Sequence, residues 1–182
     1  DFACGTGGFI TSWLKQLWKK VKTANDQQLY ANSIYGIEKK QFPYMLCITN
    51  MLLHGVDIPK IYHSNSLTQD VLNYTEDDKF DVILMNPPYE RKYGCMKIVK
   101  NVLDSVPQGT PCAFILPDKK LEKDGIDKKF GNKVLKDHTL KTIIKMPENL
   151  FLNGTTPSIF VLISIDVKDV FTEDGYFRTG DI

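Results

Sequence analysis

A short, mostly apolar run, Phe80–Met85 (FDVILM), constrains the fold of this chain more than any other segment. The run has the length of a strand but lacks the regular alternation that marks a half-buried strand. Such a run is typical of a strand covered on both faces, as in sheets that carry helices on each side. It stops at Pro87 and Pro88, which fix the backbone and remove donors from any further pairing. We therefore predict a buried central strand here.

The rest of the chain alternates between helical and strand patterns. Helices are predicted at residues 7–22, 40–54, 96–106 and, as a broken helix, 121–137. Strands are predicted at residues 33–37, 60–63, 80–85, 111–116, 140–146 and 158–165. This alternation predicts an α/β fold, a doubly wound and mostly parallel sheet of the Rossmann-like kind with right-handed crossovers. In such sheets a ligand binds outside the carboxyl ends of the strands.

The composition is that of a globular domain, with 42% hydrophobic and 25% charged residues. The sequence contains neither a long apolar span nor a signal peptide, so we expect a cytoplasmic protein that does not enter a membrane. The four cysteines lack CxxC spacing and histidine partners, which favours reduced thiols and no metal site. The formal net charge of +1 provides no overall attraction to nucleic acid.

The domain organisation is predicted from where these patterns begin and end. We expect one domain core, large enough to hold a catalytic site, over residues 1–165 and an acidic, loop-like tail over residues 166–182. The chain opens on a glycine loop with almost no strand before it, whereas a natural domain seldom starts at its own glycine loop. We therefore expect a fragment that is truncated at its N-terminus.

The glycine-rich opening, Asp1–Gly8 (DFACGTGG), is the first candidate site. Glycines let a backbone turn tightly and approach a ligand, and the following helix points its N–H groups at the same place. The spacing is neither the GxGxxG of dinucleotide-binding loops nor the GxxxxGK[ST] of phosphate loops. Asp1 adds a carboxylate that can hold a ligand ammonium. The alternative is a plain turn from strand to helix.

Glu38 directly follows the predicted strand 33–37 and is the second candidate. A carboxylate at this place can accept hydrogen bonds from both ribose hydroxyls of a bound nucleoside. The alternative is a solvated glutamate that the dipole of the next helix favours. The glycine loop upstream favours the first interpretation, because the two features together form a nucleoside-binding layout.

Asn86-Pro87-Pro88-Tyr89 is the sharpest signal in the sequence. The prolines fix an extended backbone and leave the Pro87 carbonyl without a local donor. That carbonyl and the side-chain carbonyl of Asn86 can both accept from one amino group, and Tyr89 offers a flat face for a planar ring. The alternative is a proline-rich turn that closes a buried strand. The position after a central strand favours the binding interpretation.

Five segments occur in an order that resembles a known enzyme family. They are DFACGTGGFI, GIEKKQFPYMLCITNMLLHGVD, FDVILMNPPYE, AFILPDKKL and IIKMPENLFLNGTTPSIFVLI. Together they resemble the adenine-N6 DNA methyltransferases whose cofactor motif precedes the catalytic motif, and within that class the modification (M) subunit of type I restriction–modification systems. The resemblance runs from Asp1 to about Ile165. The family pattern begins DPACGTGGF, so Phe2 stands here in place of the usual proline.

The resemblance implies an S-adenosylmethionine-dependent methyltransferase fold, with S-adenosylmethionine as the methyl donor. It implies that Asp1 and the loop backbone hold the methionine end of this cofactor and that Glu38 accepts from its ribose. Asn65 stands where the family often has an aspartate beside the cofactor adenine, and Leu67 or Ile37 is expected to cover the adenine face. The implied cofactor-binding residues are Asp1, Ala3, Gly5, Gly7, Glu38, Asn65 and Ser66.

The resemblance also implies the reaction, which is methyl transfer to N6 of an adenine that has left the duplex. Asn86 and Pro87 are implied as catalytic residues that accept the two amino hydrogens, and Tyr89 as a catalytic residue that stacks on the base. Phe151 is a candidate second stacking face, or else a core-facing side chain at a strand end. No metal is implied. The implied partners are DNA and the specificity and restriction subunits of a type I complex.

Two alternatives to DNA methylation stay open. Enzymes that methylate a glutamine side chain of a protein also use NPPY to hold an amide nitrogen. The ACGTGGF loop and the IIKMPENLF…TTPSIFVL segment favour the DNA enzymes. The second alternative is a non-catalytic binding or assembly module on a methyltransferase fold, against which the intact Asn86 and Tyr89 argue.

Overall fold

The computed structural model describes residues 1–67, 80–89, 95–117, 126–147, 150 and 157–164. The chain divides into two compact units. The first comprises Asp1–Gln69 and Leu84–Asn86, and the second comprises Asp70–Ile83 and Pro87–Ile182. The tail expected at residues 166–182 lies outside the described residues, so the boundary at residue 165 stays a prediction.

In the first unit, helices and strands alternate as predicted, with one additional helix. The elements are α1 (Gly8–Trp18), α2 (Ala24–Asn32), β1 (Tyr35–Glu38), α3 (Gln41–Leu53) and β2 (Lys60–His63). β1 and β2 pair in parallel, with Tyr35 opposite Lys60 and Glu38 opposite His63. This pairing is the one expected of two consecutive strands that a helix connects.

Helices α1 and α3 pack their apolar faces into one core of the first unit. α1 contributes Ile10 and Leu14, which lie one turn apart on the same face. α3 contributes Cys47 and Met51 in the same way. Full burial of an aliphatic side chain of this size stabilises the fold by about 1.5–3 kcal/mol. The buried members of this core are Cys4, Ile10, Leu14, Ile34, Cys47, Met51, Val56 and Ile61.

Helix α1 covers most of the helix predicted at residues 7–22, and α2 follows it in a stretch where no element was predicted. α2 buries none of its residues, so it has no apolar stripe that a periodicity analysis can detect. It begins with a capping box, in which the Thr23 hydroxyl accepts from the Asp26 N–H and the Asp26 carboxylate accepts from the Thr23 N–H at 2.9 Å. The Thr-x-x-Asp pattern is therefore the sequence signal for the start of α2.

The second unit contains most of a four-stranded sheet and two helices. The elements are β3 (Ile83–Met85), α4 (Cys95–Ser105), β4 (Pro111–Pro117), α5 (Ile126–Asp137), β5 (Thr139–Lys145) and β6 (Pro157–Ile163). The strand order is β3-β4-β6-β5. β3 begins in the second unit, and its last two residues are assigned to the first.

Strand β6 departs from the mostly parallel arrangement that the alternation predicts. Pro111 lies opposite Ile163 and Pro117 lies opposite Pro157, so β6 runs antiparallel to β4, and it runs antiparallel to β5 as well. A parallel neighbour needs a crossover of about a dozen residues or more, usually a helix. In the described part of the chain β6 is the next element after β5, with no helix between them, and the two strands pair as antiparallel neighbours.

Two predicted elements differ in extent from those observed. The run Phe80–Met85 forms a strand only over Ile83–Met85, and Val82 before it is 41% exposed. Both ends of this short strand are buried, as predicted. Helix α5 continues through Gly131, where the sequence predicts an interruption. A single helical glycine costs about 1 kcal/mol relative to alanine, which is too little to end a helix that tertiary packing supports.

Candidate active site

The glycine loop Asp1–Gly8 lies alongside β1. The backbone nitrogen of Asp1 donates to the Tyr35 carbonyl at 2.9 Å, and the Ile37 N–H donates to the Asp1 carbonyl at 2.9 Å. The Cys4 N–H donates to the Ile37 carbonyl at 3.0 Å. The first residues therefore pair with β1 as a parallel strand would, and the loop turns away at the carboxyl end of β1. This is the end at which a ligand is expected.

Gly5 and Gly7 turn the loop through the left-handed region, with φ of +56° and +87°. A Cβ on Gly7 would lie 2.9 Å from the Sγ of Cys47, so both the backbone conformation and the available space require glycine there. Among the residues that the structure describes, a Cβ on Gly5 or Gly8 would meet no atom within 4 Å. These two glycines therefore leave the surface of the loop open to a ligand.

Glu38 connects the glycine loop to the start of α3. Its Oε2 accepts from the Gly5 N–H at 3.0 Å, and its Oε1 accepts from the Lys40 N–H at 2.7 Å. Lys40 immediately precedes α3, so this second contact agrees with the helix-start interpretation of Glu38. The contact with Gly5 places the same carboxylate at the candidate ligand site. An ionised carboxylate has about four lone-pair sites, so each oxygen can accept a further hydroxyl.

Besides the Cys4 N–H, three amide groups of the loop donate to protein atoms. The Ala3 N–H donates to the Asp1 carboxylate at 3.0 Å, and the Gly7 N–H donates to the Cys4 carbonyl at 2.8 Å. The Gly5 N–H is the donor to the glutamate carboxylate. Ala3, Gly5 and Gly7 therefore shape the loop, and a direct contact between each of them and a cofactor stays a prediction.

Two other amide groups are open to a ligand. In the part of the chain that the structure describes, the N–H groups of Thr6 and Gly8 donate to no protein atom, and Oδ2 of Asp1 accepts from none. Gly8 is the first residue of α1, so the positive end of the helix dipole reinforces its N–H. Sequence reasoning named Asp1 and the loop backbone as a whole but singled out neither Thr6 nor Gly8, because open donors depend on how the loop closes on itself.

Asn65 and Ser66 follow β2, and both are tied to the backbone. Oδ1 of Asn65 accepts from the Leu67 N–H at 3.2 Å, while the Ser66 hydroxyl is buried and donates to the Phe2 carbonyl. Ser66 therefore anchors the glycine loop, and the cofactor contacts expected of both residues stay predictions. Ile37 is fully buried, so the expectation that its side chain covers an adenine is wrong. Leu67 is only partly buried.

Phe2, which stands where the family pattern has proline, fills space beside β1. Its ring is 1% exposed and meets the Tyr35 ring edge-on, with centroids 6.2 Å apart and planes at 67°. The Tyr35 ring lies 4.9 Å from the Tyr62 ring of β2. This aromatic packing, rather than a fixed proline φ, supports the start of the loop.

Asn86 and Pro87 follow β3 directly. Ile83 and Met85 of that strand are buried, Asn86 is exposed, and Pro87 is buried. Asn86 is assigned to the first unit, as are all the predicted cofactor residues, whereas Pro87 is assigned to the second. A buried strand and a buried proline thus flank an amide side chain that faces outward.

Tyr89 is held by its hydroxyl group in the second unit. The hydroxyl donates to the Ile115 carbonyl of β4 at 3.1 Å. Burial, with a smaller contribution from Cys95, raises the pKa of Tyr89 to about 12. The side chain is therefore neutral at physiological pH, and its ring orientation is fixed by the hydrogen bond. Phe151, the other expected stacking residue, lies outside the described residues.

Two thiols pack beside the glycine loop. The Sγ atoms of Cys4 and Cys47 are buried and lie 3.8 Å apart. The hydrogen bond that the Cys4 thiol donates to Cys47, together with burial, raises the pKa of Cys4, so this thiol is a neutral, space-filling group. Over the described ranges, no three His, Cys, Asp or Glu side chains gather as metal ligands. No helix in those ranges combines the length and the hydropathy that crossing a membrane requires.

The chain matches the model of a protein family described as N-6 DNA Methylase, over residues 1–105 and 95–177. Among curated proteins, it is 32% identical over 169 residues to the type I restriction enzyme EcoEI methylase subunit of Escherichia coli, covering 83% of this chain and 34% of that protein. It is 30% identical over 173 residues to the type II restriction enzyme and methyltransferase RM.BcgI of Heyndrickxia coagulans, covering 88% of this chain and 27% of that protein. The chain thus spans about a third of the length of these relatives, or less.

Solved structures with a similar fold include two type I modification subunits. A modification subunit of a putative type I restriction enzyme from Vibrio vulnificus superposes with a TM-score of 0.74 at 30% identity, covering 91% of this chain and 40% of that one. The type I restriction enzyme EcoKI M protein gives a TM-score of 0.74 at 18% identity, covering 96% of this chain and 40% of that one. The second likeness, at so low an identity, concerns the fold alone.

Proposed function

The chain belongs to the N-6 DNA methylase family, and from this premise we propose that the protein containing it methylates adenine in DNA. The proposed reaction transfers a methyl group from S-adenosylmethionine to the exocyclic N6 of an adenine turned out of the duplex. The observation that carries the proposal is the exposed Asn86 amide between buried β3 and buried Pro87. An amide and a proline carbonyl in succession offer two acceptors to one amino group.

The glycine loop fits the proposed cofactor. Gly5 and Gly8 leave open space beside the loop, and Thr6 and Gly8 offer N–H groups to a carboxylate. Asp1 offers a carboxylate oxygen to an ammonium group, and Glu38 offers two oxygens to ribose hydroxyls. Asn65 would lie at the adenine end. When bound, S-adenosylmethionine supplies an electrophilic methyl group on a positively charged sulfur.

Asn86 and Pro87 act on the nitrogen that receives the methyl group. The side-chain carbonyl of Asn86 and the backbone carbonyl of Pro87 each accept one hydrogen of the amine. Two such acceptors draw the nitrogen lone pair out of conjugation with the ring and fix its direction. Methyl transfer would form the carbon–nitrogen bond as the carbon–sulfur bond of the donor breaks, and the nitrogen would then release one of its hydrogens as a proton to water.

Tyr89 provides the face on which the adenine ring stacks. Turning a base out of the duplex costs a few kcal/mol, and stacking on an aromatic ring recovers about 1–3 kcal/mol. The hydrogen bond from the Tyr89 hydroxyl to the Ile115 carbonyl holds the ring in one orientation before the base arrives. Phe151 is proposed as a second stacking face on the family pattern.

The partners proposed for the whole protein are DNA and the specificity and restriction subunits of a type I restriction–modification complex. The proposal draws on the similarity to the EcoEI methylase subunit, of which this chain matches about a third. Because the sequence-reading role in such systems belongs to a separate subunit, methylation at defined sites is expected to require that subunit.

Methylation of a protein glutamine is the less favoured alternative. The similar curated proteins named above are restriction and modification enzymes, which act on DNA, and none is named as a protein methyltransferase. A non-catalytic module is less favoured because Asn86, Pro87 and Tyr89 are all present and Asn86 is exposed.

The decisive experiment sequences modified bases in DNA from a host that expresses the intact gene and its partner genes. We expect N6-methyladenine at defined sites with the wild-type gene and its loss with Asn86→Ala. Asn25→Ala, which removes an exposed asparagine from α2, is the matched control and is expected to leave methylation intact. Adenine methylation that persists in the Asn86→Ala host would refute the catalytic role of this residue.

A further inference from the structure

We propose that Asn50 is a positioning residue, whose side-chain amide holds the cofactor loop in the form that binds S-adenosylmethionine. The Nδ2 group of Asn50 donates to the Thr6 carbonyl at 2.8 Å, across 44 residues of sequence. Asn50 is on α3, in the same unit as the loop. This inference rests on the proposed function, because it concerns the same cofactor site.

The hydrogen bond completes the restraint of one peptide group. The peptide between Thr6 and Gly7 presents its carbonyl to Asn50, and its N–H donates to the Cys4 carbonyl at 2.8 Å. Gly7 has φ of +87°, a region that only glycine enters readily, and glycine imposes little restraint of its own on this peptide. Contacts at both ends therefore decide how the peptide is oriented.

The orientation of this peptide fixes the open donors of the loop. The N–H groups of Thr6 and Gly8 flank it on either side, and both are open to a ligand. If the Thr6 carbonyl turned away from Asn50, the backbone angles next to both N–H groups would change. The amide of Asn50 thus keeps two donors directed to one place, without itself touching the ligand.

Helix α3 supplies a second restraint one turn earlier. Cys47 and Asn50 are three residues apart on α3, so they share a face, and Cys47 packs its Sγ against the position where Gly7 would carry a Cβ. Cys47 fills the space beside the loop, whereas Asn50 fixes the direction of a carbonyl. Asparagine is a poor helix former, so its place inside α3 has a cost that the hydrogen bond offsets.

Substitution of Asn50 should therefore weaken cofactor binding without harming the fold. A ligand that binds only one form of a loop loses affinity in proportion to the population of that form. Loss of one neutral hydrogen bond corresponds to about a three- to ten-fold change in such a population. Asn50→Ala should raise the Kd for S-adenosylmethionine by this factor and leave kcat at saturating cofactor unchanged. Alanine favours a helix, so thermal stability should not fall.

Asn50→Asp provides a readout that a structural role would not give. Aspartate has the same shape but, when ionised, only accepts, so it repels the Thr6 carbonyl and should bind cofactor more weakly than Asn50→Ala. Protonation restores a donor at this position. The ratio of the Kd of Asn50→Asp to that of the wild type should therefore shrink as pH is lowered from about 8 to about 5. The ratio for Asn50→Ala should stay constant.

The test is calorimetric titration of S-adenosylmethionine into the full-length protein, with methylation kinetics alongside. Asn25→Ala on α2 is the matched control, with an unchanged Kd expected. The inference is overturned if Asn50→Ala binds as the wild type does, if kcat falls in place of affinity, or if the Asn50→Asp ratio does not change with pH. A wild-type protein that binds cofactor but methylates no DNA when its specificity subunit is present would refute the proposed function alone, since the binding comparison still decides the role of Asn50. A wild-type protein that binds no cofactor would refute both.

Discussion

Glu38 and Gly5 are joined by a hydrogen bond of 3.0 Å from the Gly5 N–H to Oε2 of the carboxylate, across 33 residues of sequence. The other oxygen of the same carboxylate accepts from the Lys40 N–H at 2.7 Å. One carboxyl side chain therefore fixes both a turn of the glycine loop and the start of α3, and it does so at the place where ribose hydroxyls are proposed to bind. Loop shape and ligand binding depend on the same two oxygens.

Replacing Glu38 with Gln is expected to weaken S-adenosylmethionine binding by about 10- to 100-fold. Glutamine has one acceptor oxygen, so its NH2 group faces an N–H donor of the protein and offers nothing to one ribose hydroxyl. Hydrogen bonds to charged groups contribute about 1.5–3 kcal/mol each, which corresponds to this range. Titration calorimetry measures the change, with Asp57→Asn in an exposed loop as the control. Equal affinities of Glu38→Gln and the wild type would contradict the assignment.

Gly7→Ala is expected to lower the free energy of unfolding by about 1–2 kcal/mol or more. An alanine at φ of +87° is in the left-handed region, which costs about that amount. The added Cβ would also lie 2.9 Å from the Sγ of Cys47. Denaturant unfolding of the full-length protein measures the loss. The double variant Gly7→Ala with Cys47→Ala should recover the part that comes from the steric clash.

Gly8→Ala is expected to leave the free energy of unfolding intact and to weaken cofactor binding. A Cβ there meets no described atom within 4 Å, and alanine favours a helix, so the free energy of unfolding should be unchanged or higher. The methyl group would project into the open space beside the loop, so the affinity for S-adenosylmethionine should fall. Denaturant unfolding and cofactor titration of Gly7→Ala and Gly8→Ala, measured side by side, distinguish an effect on the loop conformation from an effect on the space left for the cofactor. If Gly8→Ala destabilised the protein as much as Gly7→Ala, the described loop conformation would be wrong.

Tyr89→Ala and Tyr89→Phe are expected to differ in their effect on methylation. Alanine removes the stacking face, which should lower kcat/KM for DNA by about 10- to 100-fold and leave the Kd for S-adenosylmethionine unchanged. Phenylalanine keeps the ring and loses only the hydrogen bond to the Ile115 carbonyl, so a smaller loss is expected. Burial raises the pKa of Tyr89 to about 12, so Tyr89→Phe should have the pH–rate profile of the wild type below pH 10. A profile that shifted in this range would assign an acid–base role to the hydroxyl.

The capping box of α2 makes this helix sensitive to acid. The carboxylate of Asp26 accepts from the Lys22 and Thr23 N–H groups, and these contacts hold the pKa of Asp26 below its usual value. A lowered folded-state pKa gives stability that is present above the ordinary aspartate pKa and lost as pH falls through the lowered one. Protection factors for hydrogen exchange in α2 should therefore fall at acid pH. Asp26→Asn should show low protection at every pH, and Thr23→Ser should behave as the wild type does.

Sequence patterns predicted the elements whose signal is local. Strand β1 was expected at residues 33–37 and is observed at Tyr35–Glu38, and β2 has the predicted bounds Lys60–His63. Helix α2 was missed because it buries no side chain, although its Thr-x-x-Asp start can be read from the sequence. The antiparallel direction of β6 was missed because the alternation of helices and strands does not indicate in which direction each strand runs within the sheet.

The residues of the candidate site likewise divide into those whose role a local sequence pattern indicates and those whose role depends on tertiary contacts. Glycine readily adopts the positive φ that a tight turn needs, and proline fixes its own φ, so the sequence alone determined that a tight loop and a rigid strand end occur here. The tertiary structure decided which donors of the loop remain open, that Glu38 fixes Gly5, and that Asn50 holds Thr6. These contacts join residues more than thirty positions apart in sequence. Only the packing of α3 and β1 against the loop brings such partners within hydrogen-bonding distance, and no local pattern encodes it.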